Sequence, residues 1–155
     1  MRIAAALLSS LLVVLVAGCG GADVIYEEHR NFAAEPGWSY ADSVEFTFEI
    51  VDTSVRYDMV LTIDHGTDFA YQNFYVRLTT HLPDGRVLQQ PLSLQLADNF
   101  GEWYGDCDGS TCSSEIALQQ GTRFTERGEY RLVVTQFSRK DPLAGVTGVG
   151  FRLIR

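Results

Sequence analysis

The stretch Val44-Glu45-Phe46-Thr47-Phe48-Glu49-Ile50 alternates apolar and polar residues without a break. Successive side chains of a β-strand point to opposite faces of the sheet, so a period of two predicts a strand with one buried and one solvated face. The four apolar residues would face a core, and the two glutamates and the threonine would face water. The fold is therefore expected to be built from half-buried strands.

Segments with the same period recur along the rest of the chain, whereas no apolar stripe of helical period exceeds a turn or two. About seven short strands, with turn signals every ~8–12 residues, are typical of an antiparallel sandwich. We therefore predict a single all-β domain over residues 31–155, a β-sandwich with jelly-roll or immunoglobulin-like topology. The clearest further strands are Tyr57–Asp64, Phe74–Leu82, Glu129–Phe137 and Val146–Ile154.

One hairpin can be placed in more detail. Pro83-Asp84-Gly85-Arg86 predicts a turn, because proline presets φ and glycine tolerates a positive φ. The returning segment Val87–Leu96 contains Pro91. Proline has no N–H to donate to a neighbouring strand, so this segment is predicted to be an edge strand or to be interrupted at Pro91.

The start of the chain is an apolar run that closes on Val16-Ala17-Gly18-Cys19. The run Ile3–Val16 is shorter than the ~20 residues that span a bilayer, and it has the length of a secretory apolar region, ~7–15 residues. Small residues that end in cysteine indicate a bacterial lipoprotein signal, with Cys19 acylated and exposed as the first residue by cleavage. An ordinary secretory signal with an incidental cysteine is the alternative. We predict a signal peptide over residues 1–18, and a lipidated Cys19 with its tether over residues 19–30.

These features predict a lipoprotein anchored to a membrane of the bacterial cell envelope, at the outer membrane or on a periplasmic face. Two or more acyl chains anchor a protein stably. The chain carries 12 Lys and Arg against 20 Asp and Glu, for a net charge of −8, and contains no basic run. Nucleic-acid binding requires clustered basic residues and is not expected. Acidity also disfavours adhesion to anionic headgroups, so the acyl chains on Cys19 would do the anchoring.

The cysteine count agrees with an extracytoplasmic location. Once Cys19 is lipidated, Cys107 and Cys112 remain as a pair in the polar loop Asp106–Cys112. In an oxidising compartment they are expected to form a disulfide. A metal site is the alternative, but two thiols without a nearby histidine supply only half of a zinc site. The loop also lacks the later bidentate glutamate of an EF-hand calcium loop.

No constellation in the sequence indicates catalysis. There is no Gly-x-Ser-x-Gly motif, and His29, His65 and His81 are scattered along the chain. Glu45 and Glu49 share a strand face about 13 Å apart, which is too far for the paired carboxylates of a glycosidase at ~5–9 Å. We predict no catalytic residues, no metal site and no cofactor.

Aromatic residues near amides form a candidate binding surface. Tyr71, Asn73, Tyr75, Arg77 and Trp103 fall in the segments that lead into and follow the predicted hairpin. Exposed aromatic rings beside polar side chains can stack on sugars. The alternative is that Trp103 closes one end of the sandwich, since aromatic residues dominate core energetics.

The segment Asp141-Pro142-Leu143-Ala144-Gly145-Val146 is predicted to be a connection, because Pro142 cannot continue a helix. Leu143 is apolar where a free loop would be polar. It is expected either to pack against the sandwich or to form an exposed edge that docks another envelope protein. Gly145 is expected to adopt a positive φ.

A series of motifs follows the lipoprotein signal in order along the chain. It includes Trp38, Phe46-x-Phe48, Phe69-x-Tyr71-x-Asn73-Phe74-Tyr75, Gly101-x-Trp103-x-Gly105, Gly128-x-Tyr130 and Asp141-Pro142-Leu143-x-Gly145-Val146. This series resembles the gliding-motility lipoprotein GldH family of Bacteroidota. The resemblance implies an accessory lipoprotein of the gliding apparatus, which works alongside the type IX secretion machinery, with no assigned catalytic residues. We therefore expect a non-catalytic module whose partners are envelope proteins of that apparatus. A carbohydrate-binding sandwich and a hydrolase with an unrecognised site are the alternatives.

Overall fold

The computed structural model describes residues 21–155. The predicted signal peptide and Cys19 therefore lie outside the described residues. The described chain forms nine β-strands and contains no helix long and apolar enough to cross a membrane. The strands are β1 (Val24–Asn31), β2 (Val44–Ile50), β3 (Tyr57–Gly66), β4 (Asn73–His81), β5 (Val87–Gln95), β6 (Asp106–Asp108), β7 (Thr111–Thr122), β8 (Gly128–Gln136) and β9 (Val146–Ile154).

The strands form two antiparallel sheets, which confirms the predicted all-β sandwich. One sheet has five strands in the order β1-β9-β3-β7-β6, and the other has four in the order β2-β8-β4-β5. The pairs β1–β9, β2–β8, β3–β7 and β4–β5 nest inside one another, like a long hairpin rolled up on itself. This nesting is the topology of a jelly roll, so of the two predicted arrangements the structure has the jelly roll.

The core lies between the two sheets and follows the period of two. Every second residue of β2 is buried, and β3 alternates in the same way from Tyr57 onwards. Aromatic rings carry much of the contact: Phe46 and Phe151 lie 5.6 Å apart between ring centres, and Phe48 and Phe151 lie 5.4 Å apart. The predicted buried face of the first quoted strand is thus the face that meets the opposite sheet.

Pro91 lies on an edge strand, as its missing N–H predicts. In the four-stranded sheet β5 is the outermost strand and pairs only with β4, where Pro91 is opposite Arg77. The turn before β5 is also confirmed, because Gly85 has φ +86°.

The folded part of the chain begins before residue 31, which corrects the predicted boundary of the tether. Residues 24–31 form β1, which pairs with β9 at the edge of the five-stranded sheet. Within β1 only Tyr26 is partly buried, because the strand is solvated along most of its length. A strand held mainly by backbone hydrogen bonds to its neighbour leaves little apolar alternation in the sequence, so its composition resembles a linker.

β6 and β7 were also not predicted as strands. Residues 106–112, interpreted as a polar loop, contain a tight hairpin in which β6 pairs with the start of β7. β7 then continues for 12 residues beside β3. It is rich in Ser, Gln and Glu, because beyond β6 its outer edge has no neighbouring strand in the described chain. Because β7 is mostly polar, its sequence does not show the apolar alternation that predicts a strand.

The two ends of the sandwich differ. One end, the tether end, carries the start of β1, the end of β9 and the short connections 51–56, 82–86 and 123–127. The other end, the loop end, carries the connections 32–43, 67–72, 96–105 and 137–145. The candidate functional residues therefore gather at the loop end.

Candidate functional site

An open cleft at the loop end brings together most of the residues predicted as a binding surface. Its volume is about 420 Å³. Tyr71, Tyr75 and Phe137 form its walls, and Phe74 and Leu143 form its floor. The three wall side chains are 41%, 49% and 45% exposed, so large parts of three neighbouring rings face solvent. We call this group of residues, with the rim described next, the aromatic cleft.

The rim of the aromatic cleft is polar and partly basic. It consists of Asn73, Ser138, Arg139 and Lys140. Asn73 donates from its amide to the hydroxyl of Ser93 at 3.1 Å, so this amide is already engaged across the β4–β5 pair. The Ser138 hydroxyl makes a long contact of 3.4 Å with the Tyr75 carbonyl oxygen. Asn73 and Ser138 thus each make a hydrogen bond within the protein, whereas both basic side chains are exposed.

Arg77 adjoins the cleft through an aromatic contact. Its guanidinium carbon lies 4.0 Å from the centre of the Phe137 ring. A guanidinium over a ring face gains ~0.5–1 kcal/mol at an exposed site. Phe137 is therefore held between the cleft and Arg77, and three cations surround the exposed rings.

A buried amide fixes the loop that carries the basic residues. Gln136 is 1% exposed at the end of β8. Its amide nitrogen donates to the carbonyl oxygen of Lys140 at 2.6 Å, and its amide oxygen accepts from the backbone N–H of Ser138 at 2.5 Å. Buried polar groups of this kind are costly to leave unpaired. The backbone of residues 138–140 is consequently held in one shape.

Leu143 belongs to the core, which decides between the two predicted roles of its segment. The Leu143 side chain is 1% exposed, so it packs in the core and lies at the bottom of the cleft. Gly145 has φ +88°, as predicted for the turn that follows. The segment is therefore a core-docked connection, and the interpretation as an exposed apolar edge is wrong.

Trp103 does not join the aromatic cleft. It is half-buried, and its ring centre lies 4.5 Å from that of His65. His65 is fully buried; its Nδ1 lies 2.9 Å from the Gly66 carbonyl oxygen, and its Nε2 has no hydrogen-bond partner among the described residues. Trp103 thus covers a buried histidine at the loop end, in agreement with the alternative that it closes the sandwich.

A second, smaller groove lies between the open edges of β5 and β7. Its volume is about 250 Å³. Leu88, Leu92, Ile116 and Leu118 are among its apolar lining residues, and Leu88 is 56% exposed. None of the residues predicted as a binding surface lies in this groove.

Cys107 and Cys112 face each other across the β6–β7 hairpin. They are directly opposed in the strand register, and their sulfur atoms lie at bonding distance. In residues 21–155 no group of three or more His, Cys, Asp or Glu side chains is arranged to hold a metal ion. Glu45, one of the two carboxylates considered for a glycosidase, forms an exposed ion pair with Arg131 at 3.2 Å.

Four members of the cleft were not predicted from the sequence: Phe137, Ser138, Arg139 and Lys140. The sequence did carry a sign of this. Tyr130, Leu132 and Val134 mark the inward positions of β8, and the next inward position is Gln136. Phe137 therefore falls on the outward side, where the alternation predicts a polar residue. An outward phenylalanine that is followed, after Ser138, by the basic pair Arg139-Lys140 in an acidic chain indicates a binding surface.

Comparison with known proteins gives a consistent picture. The family model described as GldH lipoprotein matches residues 24–153. A relative in Christiangramia forsetii, named gliding motility lipoprotein GldH homolog, is 26% identical over 148 residues, which cover 91% of this chain and 89% of that protein. Among solved structures, the arabinose-bound α-L-arabinofuranosidase MgGH51 aligns with 90% of this chain and 24% of its own, at 15% identity and a TM-score of 0.36. That structural likeness is too weak to carry an argument.

Proposed function

Since this chain belongs to the GldH lipoprotein family, we propose that it is a lipid-anchored, non-catalytic accessory component of the gliding-motility machinery. The match to the family over residues 24–153 carries the proposal. It spans all nine strands and includes the aromatic cleft, so what is shared with the family is the whole sandwich.

The anchor in this proposal is Cys19. Four residues, Gly20 to Asp23, separate it from the first residue of β1. An extended chain of that length spans at most ~14 Å. The tether end of the sandwich would therefore stay close to the membrane surface, in a membrane of the cell envelope. The loop end would lie farther away by the length of β1, about 25 Å at ~3.3 Å per residue.

A non-catalytic role is supported by the composition of the aromatic cleft. Its walls and floor are aromatic or aliphatic, and its charged side chains, Arg139 and Lys140, are cations. General acid–base and nucleophilic catalysis require a positioned titrating group or an activated nucleophile. The lining offers apolar contact and positive charge, which suits recognition.

A carbohydrate-binding function is the second candidate, and the exposed Tyr71 and Tyr75 rings favour it. Sugar hydroxyls also need hydrogen-bond donors and acceptors. The amide of Asn73 is engaged with Ser93, and Ser138 is engaged with the backbone of Tyr75. The apolar floor and the cations Arg139 and Lys140 favour a ligand that brings an apolar side chain and negative charge, which a protein segment can supply and a neutral glycan cannot.

Fractionation of cells that express the Cys19→Ala variant tests the anchor. The wild-type protein is expected in the membrane fraction after washing with high salt, and the variant in the soluble fraction, because no other segment is proposed to hold it. Retention of Cys19→Ala on washed membranes at the wild-type level would refute the lipid anchor. Cys107→Ser combined with Cys112→Ser serves as the control and should stay membrane-bound.

A further inference from the structure

We propose that the aromatic cleft binds an acidic segment of a protein partner, with an apolar side chain of that segment on the cleft floor and its carboxylates on Arg139 and Lys140. The inference rests on the proposed function only in placing this partner in the cell envelope. The chemistry of the cleft itself supplies the remaining argument.

The charge around the cleft favours an acidic ligand. The whole chain has a net charge of −8, so most of its surface repels acidic molecules. Arg77, Arg139 and Lys140 are grouped at one site, and none of them takes part in an ion pair within residues 21–155. Positive charge gathered on an otherwise acidic surface favours a negatively charged ligand at that place.

The apolar interior of the cleft favours a ligand that carries an apolar side chain. Three exposed aromatic rings surround a floor made by Phe74 and Leu143, which are 3% and 1% exposed. Interfaces concentrate their binding energy in aromatic and arginine residues around a central pocket. A cleft of about 420 Å³ has room for one large apolar side chain with its flanking backbone. An acidic ligand without an apolar part would leave these rings in water.

The apolar floor separates a peptide from a glycan as the occupant. The polar side chains at the rim, Asn73 and Ser138, each already make a hydrogen bond within the protein. A sugar acid would satisfy the cations but has no large apolar side chain to place on the floor formed by Phe74 and Leu143. A peptide brings carboxylates for the cations, an apolar side chain for the rings and few other polar groups to satisfy.

Position separates a protein partner from lipid headgroups. The cleft lies at the loop end, whereas β1 begins at the tether end. With Cys19 anchored, the length of β1 would hold the cleft about 25 Å away from the tether at ~3.3 Å per residue. The cations therefore lie at the end of the sandwich opposite the tether, where a partner protein can reach them.

The experiment selects ligands from a random dodecapeptide library displayed on phage, using the full-length acylated protein purified in neutral detergent micelles. The enriched peptides are expected to carry a Leu, Ile, Phe or Trp flanked by Asp or Glu. Synthetic copies of them should bind the protein in solution. The variant Arg139→Glu with Lys140→Glu should weaken this binding by about tenfold or more, since it replaces attraction of the peptide carboxylates by repulsion and slows association.

Arg123→Glu with Arg127→Glu is the matched control, because both side chains are exposed at the tether end and belong to the same residue class. It changes the net charge by the same amount and should leave peptide binding unchanged. Tyr75→Ala removes one exposed wall and should weaken binding without lowering the melting temperature. Melting curves of all three variants establish that each is folded.

Several results would overturn the proposal. The proposal would be contradicted if the library enriched no peptide or if the enriched peptides showed no acidic bias. It would also be contradicted if both charge-reversal variants lost binding equally. Displacement of the peptides by polyuronate oligosaccharides or by vesicles containing anionic lipid would assign the cleft to those ligands instead. Sedimentation showing that the cleft is covered by a second copy would assign it to self-association. Peptide binding is independent of gliding, so failure of the proposed function would leave this result standing.

Discussion

Trp38 and Leu143 exchange two backbone hydrogen bonds, the N–H of each donating to the carbonyl oxygen of the other at 3.0 and 2.8 Å. Both side chains are buried, at 0% and 1% exposure. The bridge joins the connection between β1 and β2 to the connection between β8 and β9. Since Leu143 lies on the floor of the aromatic cleft, the shape of the cleft depends on this contact between two loops that are distant in sequence.

The bridge predicts that Gly37→Ala is strongly destabilising. Gly37 has φ +99°, and a Cβ there would overlap the Leu143 carbonyl oxygen and lie 2.6 Å from Cα of Ala144. Gly85 is the control, because it has φ +86° but open space around the position of its Cβ. Gly85→Ala should cost only the backbone term, ~1–2 kcal/mol. Urea unfolding should give a clearly larger loss for Gly37→Ala, and equal losses would show that the bridge tolerates displacement.

The two faces of β2 predict opposite effects for neighbouring residues. Phe48 is 4% exposed and stacks on Tyr130 at 5.8 Å, so Phe48→Ala should lower the free energy of unfolding by ~3–5 kcal/mol.

Glu49 is exposed and lies directly opposite Glu129 in the register. Glu49→Ala should change stability by no more than ~0.5 kcal/mol, and in the stabilising direction, because like charges directly opposite one another repel. Chemical unfolding of both variants measures the contrast. Comparable losses for Phe48→Ala and Glu49→Ala would contradict the assigned register.

The hairpin of β6 and β7 predicts that Cys107 and Cys112 are bonded in the exported protein. Alkylation of denatured, unreduced protein should modify neither cysteine, and prior reduction should expose both. The bond closes a short loop, so Cys107→Ser with Cys112→Ser should cost about 2 kcal/mol at most. Two thiols that alkylate without reduction would reverse this assignment.

Tyr26 predicts a loss of stability at high pH. Burial and the hydrogen bond that its hydroxyl donates to Glu28, at 2.5 Å, raise the pKa of Tyr26 to about 12. The folded protein therefore holds the phenolic proton more tightly than the unfolded chain, whose tyrosine pKa is ~10.

The resulting contribution to stability is complete below pH ~10 and disappears as the pH rises through the folded value. The difference in unfolding free energy between wild type and Tyr26→Phe should shrink between about pH 9 and about pH 12. Tyr104→Phe, at a tyrosine that is 64% exposed, is the control and should follow the wild type across that range. A constant difference for Tyr26→Phe would show that burial does not shift its titration.

Most of the sandwich could be predicted because its inner strands bury one face. The alternation in Val44–Ile50 and Tyr57–Asp64 corresponds directly to the buried and solvated sides of β2 and β3. β1 escaped prediction because it is solvated along most of its length and carries little apolar alternation. β7 escaped because the buried positions at its start are occupied by Cys112 and Ser114, so its alternation is not apolar in the sequence. The jelly-roll order depends on which strands pair across long loops, and sequence period carries no information about partners.

The cleft could be predicted in part. Tyr71, Asn73 and Tyr75 lie near one another in sequence and share the start of β4, so local reasoning grouped them correctly. Arg139 and Lys140 reach the same place only because β8 pairs with β4. Trp103 was grouped with the tyrosines on composition, yet the loop that carries it folds over His65. Contacts made through sheet pairing and long loops are set by the tertiary fold.

The central claim is that the protein serves gliding as a lipid-anchored accessory component. The most direct measurement is the gliding speed of single cells after deletion of the gene, with complementation by wild type or by Cys19→Ala expressed at the same level. We predict that deletion stops gliding, that the wild-type chain restores it and that Cys19→Ala does not. Normal gliding of the deletion strain, or full restoration by Cys19→Ala, would contradict the account.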